Sequence, residues 1–163
     1  MKRFATLLLL ASTTQAMANT HCNDQCQSAL INDYYAKINQ AVIQDSTPEN
    51  VEDFLAVLHD DVTYLHEEYE AKFDKDIWRK AFLRQMDLGR YDDTVASNTQ
   101  VISIIHGYQT AAVEFVSRYR SRDDADFNSS PTRLAIFKFK DNKIVFIQDH
   151  WYHIAEQAPA QNQ

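Results

Sequence analysis

The chain has 163 residues, 45% apolar and 12% aromatic, with only two glycines and a formal charge of −7. That length suits one domain with a substantial core. Phosphate-cradling loops need several glycines close together. Gly89 and Gly107 stand far apart, so the usual nucleotide-binding enzymes are disfavoured, and the acidic balance argues against a nucleic-acid partner.

Lys2 and Arg3 precede an apolar stretch, Phe4 to Ala11, and Ala16-Met17-Ala18 supplies a small-x-small cleavage pattern. The stretch is far shorter than the roughly 20 residues of a membrane span. Residues 1–18 therefore read as a cleaved signal peptide, which predicts a periplasmic or secreted protein without membrane insertion after cleavage. Cleavage removes Lys2 and Arg3 and no acidic group, so the mature chain is more acidic still. Cys22 and Cys26 then lie in an oxidising space. On a regular helix their Cβ atoms would be poorly directed for bonding. An internal disulfide needs a turn or distorted helix start at Asn23-Asp24. A bridge between chains is the alternative, and the spacing is not that of a redox or haem motif. Residues 19–27 are treated as a separate N-terminal segment.

Leu30, Ile31, Tyr34, Tyr35, Ile38 and Val42 recur at helical spacing. Thr47 and Pro48 start a second helix as N-cap and first position, with Val51, Phe54, Leu55 and Leu58 on its buried face. Val62 to His66 is a short strand candidate. Asp74-Lys75-Asp76 opens a third helix with Ile77, Ala81, Phe82 and Met86 facing inward, and Gly89 ends it. The period then changes to two. Val95 to His106 and Gln109 to Arg122 flank a turn at His106-Gly107-Tyr108. Beyond an acidic loop, Thr132 to Lys140 and Lys143 to His153 flank Asp141-Asn142. The tail, residues 155–163, reads as disordered. Three helices followed by long strands predict an α+β fold, a curved antiparallel sheet wrapped around the helices as a cone with a cavity at its wide end.

Two segments carry a family resemblance. Phe54-Leu55-Ala56-Val57-Leu58-His59-Asp60-Asp61-Val62-Thr63-Tyr64 resembles the helix, Asp-Asp-Val, strand opening of nuclear transport factor 2 (NTF2)-like proteins, especially their SnoaL-like group. Asp141-Asn142-Lys143-Ile144-Val145-Phe146-Ile147-Gln148-Asp149-His150-Trp151 resembles that group's last strand. The resemblance covers residues 28–154 and implies an open cone-shaped barrel, often a homodimer through its outer sheet face. Members include isomerases, cyclases, dehydratases and epoxide hydrolases, so the fold leaves the function open.

Asp149 shares a strand face with Val145, Ile147 and Trp151, where an isolated carboxylate is costly unless paired or raised in pKa. A raised pKa suits a general acid or base. The resemblance matches Asp149 to a catalytic acid of the epoxide hydrolases, which work with an Arg-x-Asp pair on an earlier strand. Arg118-Tyr119-Arg120 is the nearest counterpart and lacks the second carboxylate, leaving Asp149 to pair with Arg118 or Arg120. His150 points to the opposite face, as does His153, so the run does not converge on a metal. The acidic stretches at His59-Asp60-Asp61 and His66-Glu67-Glu68 lack calcium-loop spacing. Tyr64 and His66 are the candidate partners of Asp149 in proton transfer, the alternative for His66 being a rim histidine bonded to water or Glu68. Trp78, Phe82, Arg118, Tyr119 and Trp151 are candidate ligand-binding residues in a pocket for a small, partly apolar molecule. The expectation is a cofactor-free isomerase or hydratase. The alternative is a non-catalytic homodimeric binding protein.

Overall fold

The computed structural model describes residues 21–151. The expected signal peptide, the tail and His153 lie outside them. Helix α1 spans Asp24–Ala41, capped where the Asn23 side chain accepts from the Cys26 N–H at 3.0 Å, which satisfies one of the helix's orphan donors. Cys22 lies just ahead of the helix, and the Cys22–Cys26 disulfide closes within the chain across this cap. Ile31, Tyr34 and Tyr35 are buried, with Leu30, Ile38 and Val42 packed against them. Asn39 fastens α1 to the sheet by accepting from the Ser97 and Thr99 hydroxyls at 3.0 and 3.1 Å.

Helix α2, Pro48–Ala56, begins where Asn50 Oδ1 accepts from the Thr47 N–H at 2.9 Å. Leu58, expected at the end of this helix, instead opens strand β1, Leu58–His66, which is longer than the Val62–His66 stretch read from the sequence. Leu58 is buried in either role, so burial periodicity alone does not place the boundary. A 3₁₀ turn at Glu67–Tyr69 and a short strand β2, Ala71–Phe73, follow, neither of them anticipated.

Helix α3, Lys75–Asp87, is capped by Asp74, whose Oδ1 accepts from the Ile77 N–H at 2.7 Å. Trp78 and Phe82, one turn apart, define its buried face. Ile77, expected inward, is 46% exposed, because a step of one residue turns a side chain about 100° around the axis. Gly89 takes the left-handed conformation that ends the helix. Its N–H donates to the Met86 carbonyl, and the Arg90 N–H donates to the Gln85 carbonyl.

The remaining strands are β3 (Thr94–Gly107), β4 (Thr110–Ser121), β5 (Asn128–Ser129), β6 (Arg133–Lys140) and β7 (Lys143–His150). They form one sheet in the order β2-β1-β7-β6-β4-β3, with β5 added to β4. The expected antiparallel pairing holds for every neighbour but one. β1 runs parallel to β7, making the sheet mixed. Register shifts in β3, between Leu58 and Thr63 of β1 and between Lys138 and Phe139 of β6 locally disturb the ladder, the kind of irregularity that bends strands. In the β3–β4 turn the left-handed residue is Gln109, not Gly107. Gly107 closes β3, and a Cβ there would lie 2.9 Å from Thr110 Cγ2. Its small size therefore serves a close approach rather than an unusual dihedral. No helix among the described residues is long and apolar enough to cross a membrane.

Candidate functional site

The parallel β1–β7 pairing sets His66 directly beside Asp149, and Tyr64 beside Ile147. Side chains two residues apart share a face, so Tyr64 and His66 join Asp149 on the inner surface. Across β7, Asp149 is opposite Ala135 of β6. Arg133, two residues earlier, shares that inner face. The 3₁₀ turn after β1 brings Glu68 and Tyr69 over the same corner.

Asp149 is 8% exposed, and its Oδ2 accepts from the Tyr64 hydroxyl at 2.9 Å. Burial pushes its carboxyl up to about 6, against the opposing effects of the Tyr64 hydrogen bond and the Arg133 charge. Burial and the nearby carboxylate also raise the Tyr64 hydroxyl well above its ordinary value, so it remains a donor. His66 is buried, with Nδ1 3.2 Å from Glu68 Oε2. Burial lowers the His66 pKa, although Glu68 acts in the other direction. His66 therefore engages Glu68, the alternative partner read from the sequence, rather than Asp149.

Trp151 completes the corner. Its backbone N–H donates to Glu68 Oε1 at 2.7 Å, and its ring meets that of His66 at 4.4 Å. The Arg133 guanidinium lies 3.6 Å above the Trp151 ring. Arg133 is the cation whose charge acts on Asp149, which corrects the expectation for Arg118 or Arg120. Those two side chains lie on the other face of β4, and both stack on Phe127. Tyr119 is 49% exposed. Neither Arg118 nor Tyr119 joins the Asp149 cluster. His150 faces away, opposite Leu134, as alternation predicts. Among the described residues no group of His, Cys, Asp or Glu is placed to hold a metal ion.

Trp78 and Phe82 are 6% exposed and belong to the core. Trp78 contacts the rings of Tyr64 at 4.6 Å and Phe54 at 5.1 Å. Tyr34 packs on Phe137, and Tyr35 on Phe115. Aromatic side chains thus fill the cone where an open pocket was expected. A hollow of ≈ 330 Å³ lined by Leu65, His66, Glu67, Glu70, Ala71 and Lys72 borders the site, and one of ≈ 150 Å³ lies beside Phe73, Trp78 and Phe82. Asp149 and Tyr64 line neither. Arg133 is the residue the sequence reading missed. Its signal was the alternation Arg133-Ala135-Phe137-Phe139, a charge at the head of an apolar strand face.

No family model and no curated protein matches the sequence. Solved structures do match the fold. An NTF2-like protein from Burkholderia pseudomallei aligns over 81% of this chain and 94% of its own at a TM-score of 0.56 and 14% identity. This chain has the NTF2-like fold. A protein of ketosteroid isomerase-like fold from Catenulispora acidiphila, solved with trimethylamine, aligns over 75% of this chain and 84% of its own, at a TM-score of 0.54 and 10% identity. An LEH-like epoxide hydrolase from M. tuberculosis aligns over 77% of this chain and 81% of its own, at a TM-score of 0.54 and 11% identity. The NTF2-like cone is therefore common ground between this chain and proteins of differing chemistry, and the site must argue the function.

Proposed function

We propose that this protein is an exported domain that binds a small, partly apolar molecule at the Asp149 corner and exchanges a proton with it. The carrying observation is a buried carboxyl, held near neutrality by its surroundings and bonded by a tyrosine. Such a group suits cofactor-free isomerisation or addition and elimination of water. In this reading Asp149 accepts or donates the proton, Tyr64 orients the carboxyl, and His66 with Glu68 shapes the wall. Because the cone is filled, the ligand enters at the corner beside Tyr69, which is 56% exposed. Neighbours of this fold are described as an epoxide hydrolase and as a trimethylamine complex, which supports a small molecule as partner. Export is supported by Lys2, Arg3 and Ala16-Met17-Ala18 and by the Cys22–Cys26 bridge.

The test is thermal stabilisation across a metabolite library, comparing the native protein with Asp149→Asn. Ligands are expected to stabilise the native protein and to lose most of that effect in the variant. Equal stabilisation of both would show that Asp149 does not contact the ligand.

A second reading is favoured by the outer sheet face. Ile105, 71% exposed, lies in register with Ala112, which pairs in turn with Ile136. An apolar row of this kind suits a protein interface, and a homodimer is the proposed occupant. Light scattering of Ile105→Lys checks it. The expected result is a shift from dimer to monomer, and a native protein already monomeric at micromolar concentration contradicts it.

A further inference from the structure

The Asp149 corner holds more hydrogen-bond donors than its own acceptors engage. Among the described residues Arg133 forms no ion pair. Its one hydrogen bond, from Nη1 to Ser117 Oγ, is long at 3.4 Å, and its Nε is buried without a partner. The Tyr35 hydroxyl, on a side chain 6% exposed, is likewise unpartnered. Tyr35 packs against Phe115, which lies in register with Arg133, so the two donors approach the corner from α1 and β6. Among the described residues neither neighbouring carboxylate accepts from Arg133 or from Tyr35. Asp149 accepts from Tyr64, and Glu68 accepts from the Trp151 N–H while facing His66. Buried donors without acceptors are costly in a native structure, and a guanidinium edge matches a carboxylate in two parallel bonds. Its flat face is already occupied by Trp151, which leaves the edge for a ligand.

We propose that Arg133, assisted by the Tyr35 hydroxyl, docks a carboxylate group of the ligand, so that the molecule bound at this corner is a small organic acid with a flat apolar body. The rings of Trp151, His66 and Tyr69 supply the surface for that body. The inference rests on the reading of the corner as a small-molecule site. The ionisable groups facing Arg133 are Asp149 on β7, Tyr64 and His66 on β1, Tyr69 on the 3₁₀ turn and Tyr35 on α1, with Glu68 beside Asp149. A bound anion favours the protonated form of Asp149, so binding strengthens as the pH falls through about 6.

The test uses the folded protein and three probes of similar shape: benzoate, benzamide and benzyltrimethylammonium. The Arg133 Nε–H and Trp151 indole resonances report binding. Benzoate is expected to bind on the order of tenfold more tightly than the other two and to move the Arg133 resonance. Arg133→Met abolishes that preference, while Arg133→Lys, which keeps the charge and guards against a folding defect, retains part of it. Benzamide or benzyltrimethylammonium binding as tightly as benzoate overturns the carboxylate inference, as does a preference that survives in Arg133→Met. If none of the probes moves Tyr64, Trp151 or Arg133 resonances, the small-molecule reading itself fails, and the inference with it.

Discussion

At the Lys140 end of β6 a network of polar side chains closes around Gln27. Gln27, 1% exposed, donates to the carbonyls of Cys22 and Gly107 at 3.0 and 2.9 Å and meets His106 Nδ1 at 3.0 Å. Ser28 Oγ lies 3.1 Å from His106 Nε2, and the Cys22–Cys26 disulfide ties the segment down. At the Arg133 end of the same strand buried polar atoms remain underpartnered, among them Arg133 Nε, the Tyr35 hydroxyl and His66 Nε2. One end spends its hydrogen bonds on holding the hairpin to the first helix. The other keeps them available, at a cost in stability, which is how binding sites differ from structural networks.

That contrast can be broken by mutation, most strongly at the closed end. Gln27→Ala leaves two carbonyls and an imidazole without their partner and is expected to destabilise by about 3 kcal/mol in urea unfolding. An effect below about 1 kcal/mol would remove the distinction between the ends. Replacing both cysteines by serine opens a short ring. The expected loss is about 2 kcal/mol, read as a lower melting temperature of the double variant.

At the open end the sign reverses. A carboxyl held above its ordinary value binds its proton more tightly in the folded state than in the unfolded one. The stability this proton contributes is present at low pH and is lost as the pH rises from about 4 through about 6. Asp149→Asn is therefore expected to be about 1–2 kcal/mol more stable than the native protein at pH 7.5 and no more stable at pH 3.5. Chemical denaturation at the two pH values checks this, and a variant destabilised at both would contradict it. The smallest effect is that of Tyr64→Phe. Losing the hydrogen bond that favours the Asp149 anion raises its pKa further, while stability changes by about 1 kcal/mol or less. Carboxyl NMR of the variant reads the shift.

Much of this architecture was legible in the sequence because it rests on local chemistry. Thr47-Pro48 and Asp74 start helices, Gly89 ends one, and Asp141-Asn142 turns a hairpin with both residues left-handed. The inward position of Asp149 followed from alternation, as did the outward position of His150. What was not legible depends on long-range pairing. The parallel contact of β1 with β7, which sets His66 beside Asp149, joins segments far apart in the chain. The cation of the site was sought at Arg118 and Arg120 through the family resemblance, yet Arg133 shares the inner face with Ala135 and Phe137, while Arg118 and Arg120 face outward. Short elements such as β2 carry too few residues for a periodic signal. The filling of the cone was hidden as well, because Trp78 and Phe82 read alike as core or as cavity wall until their packing against Phe54 and Tyr64 is seen.

The proton-exchanging carboxyl of Asp149 is the centre of this account, and its titration tests it most directly. Carbon-13 NMR of the Asp149 side-chain carboxyl across pH 3 to 9 is predicted to give a midpoint near 6. A midpoint near 4 would contradict it, leaving Asp149 an ordinary carboxylate and the corner without its acid–base group.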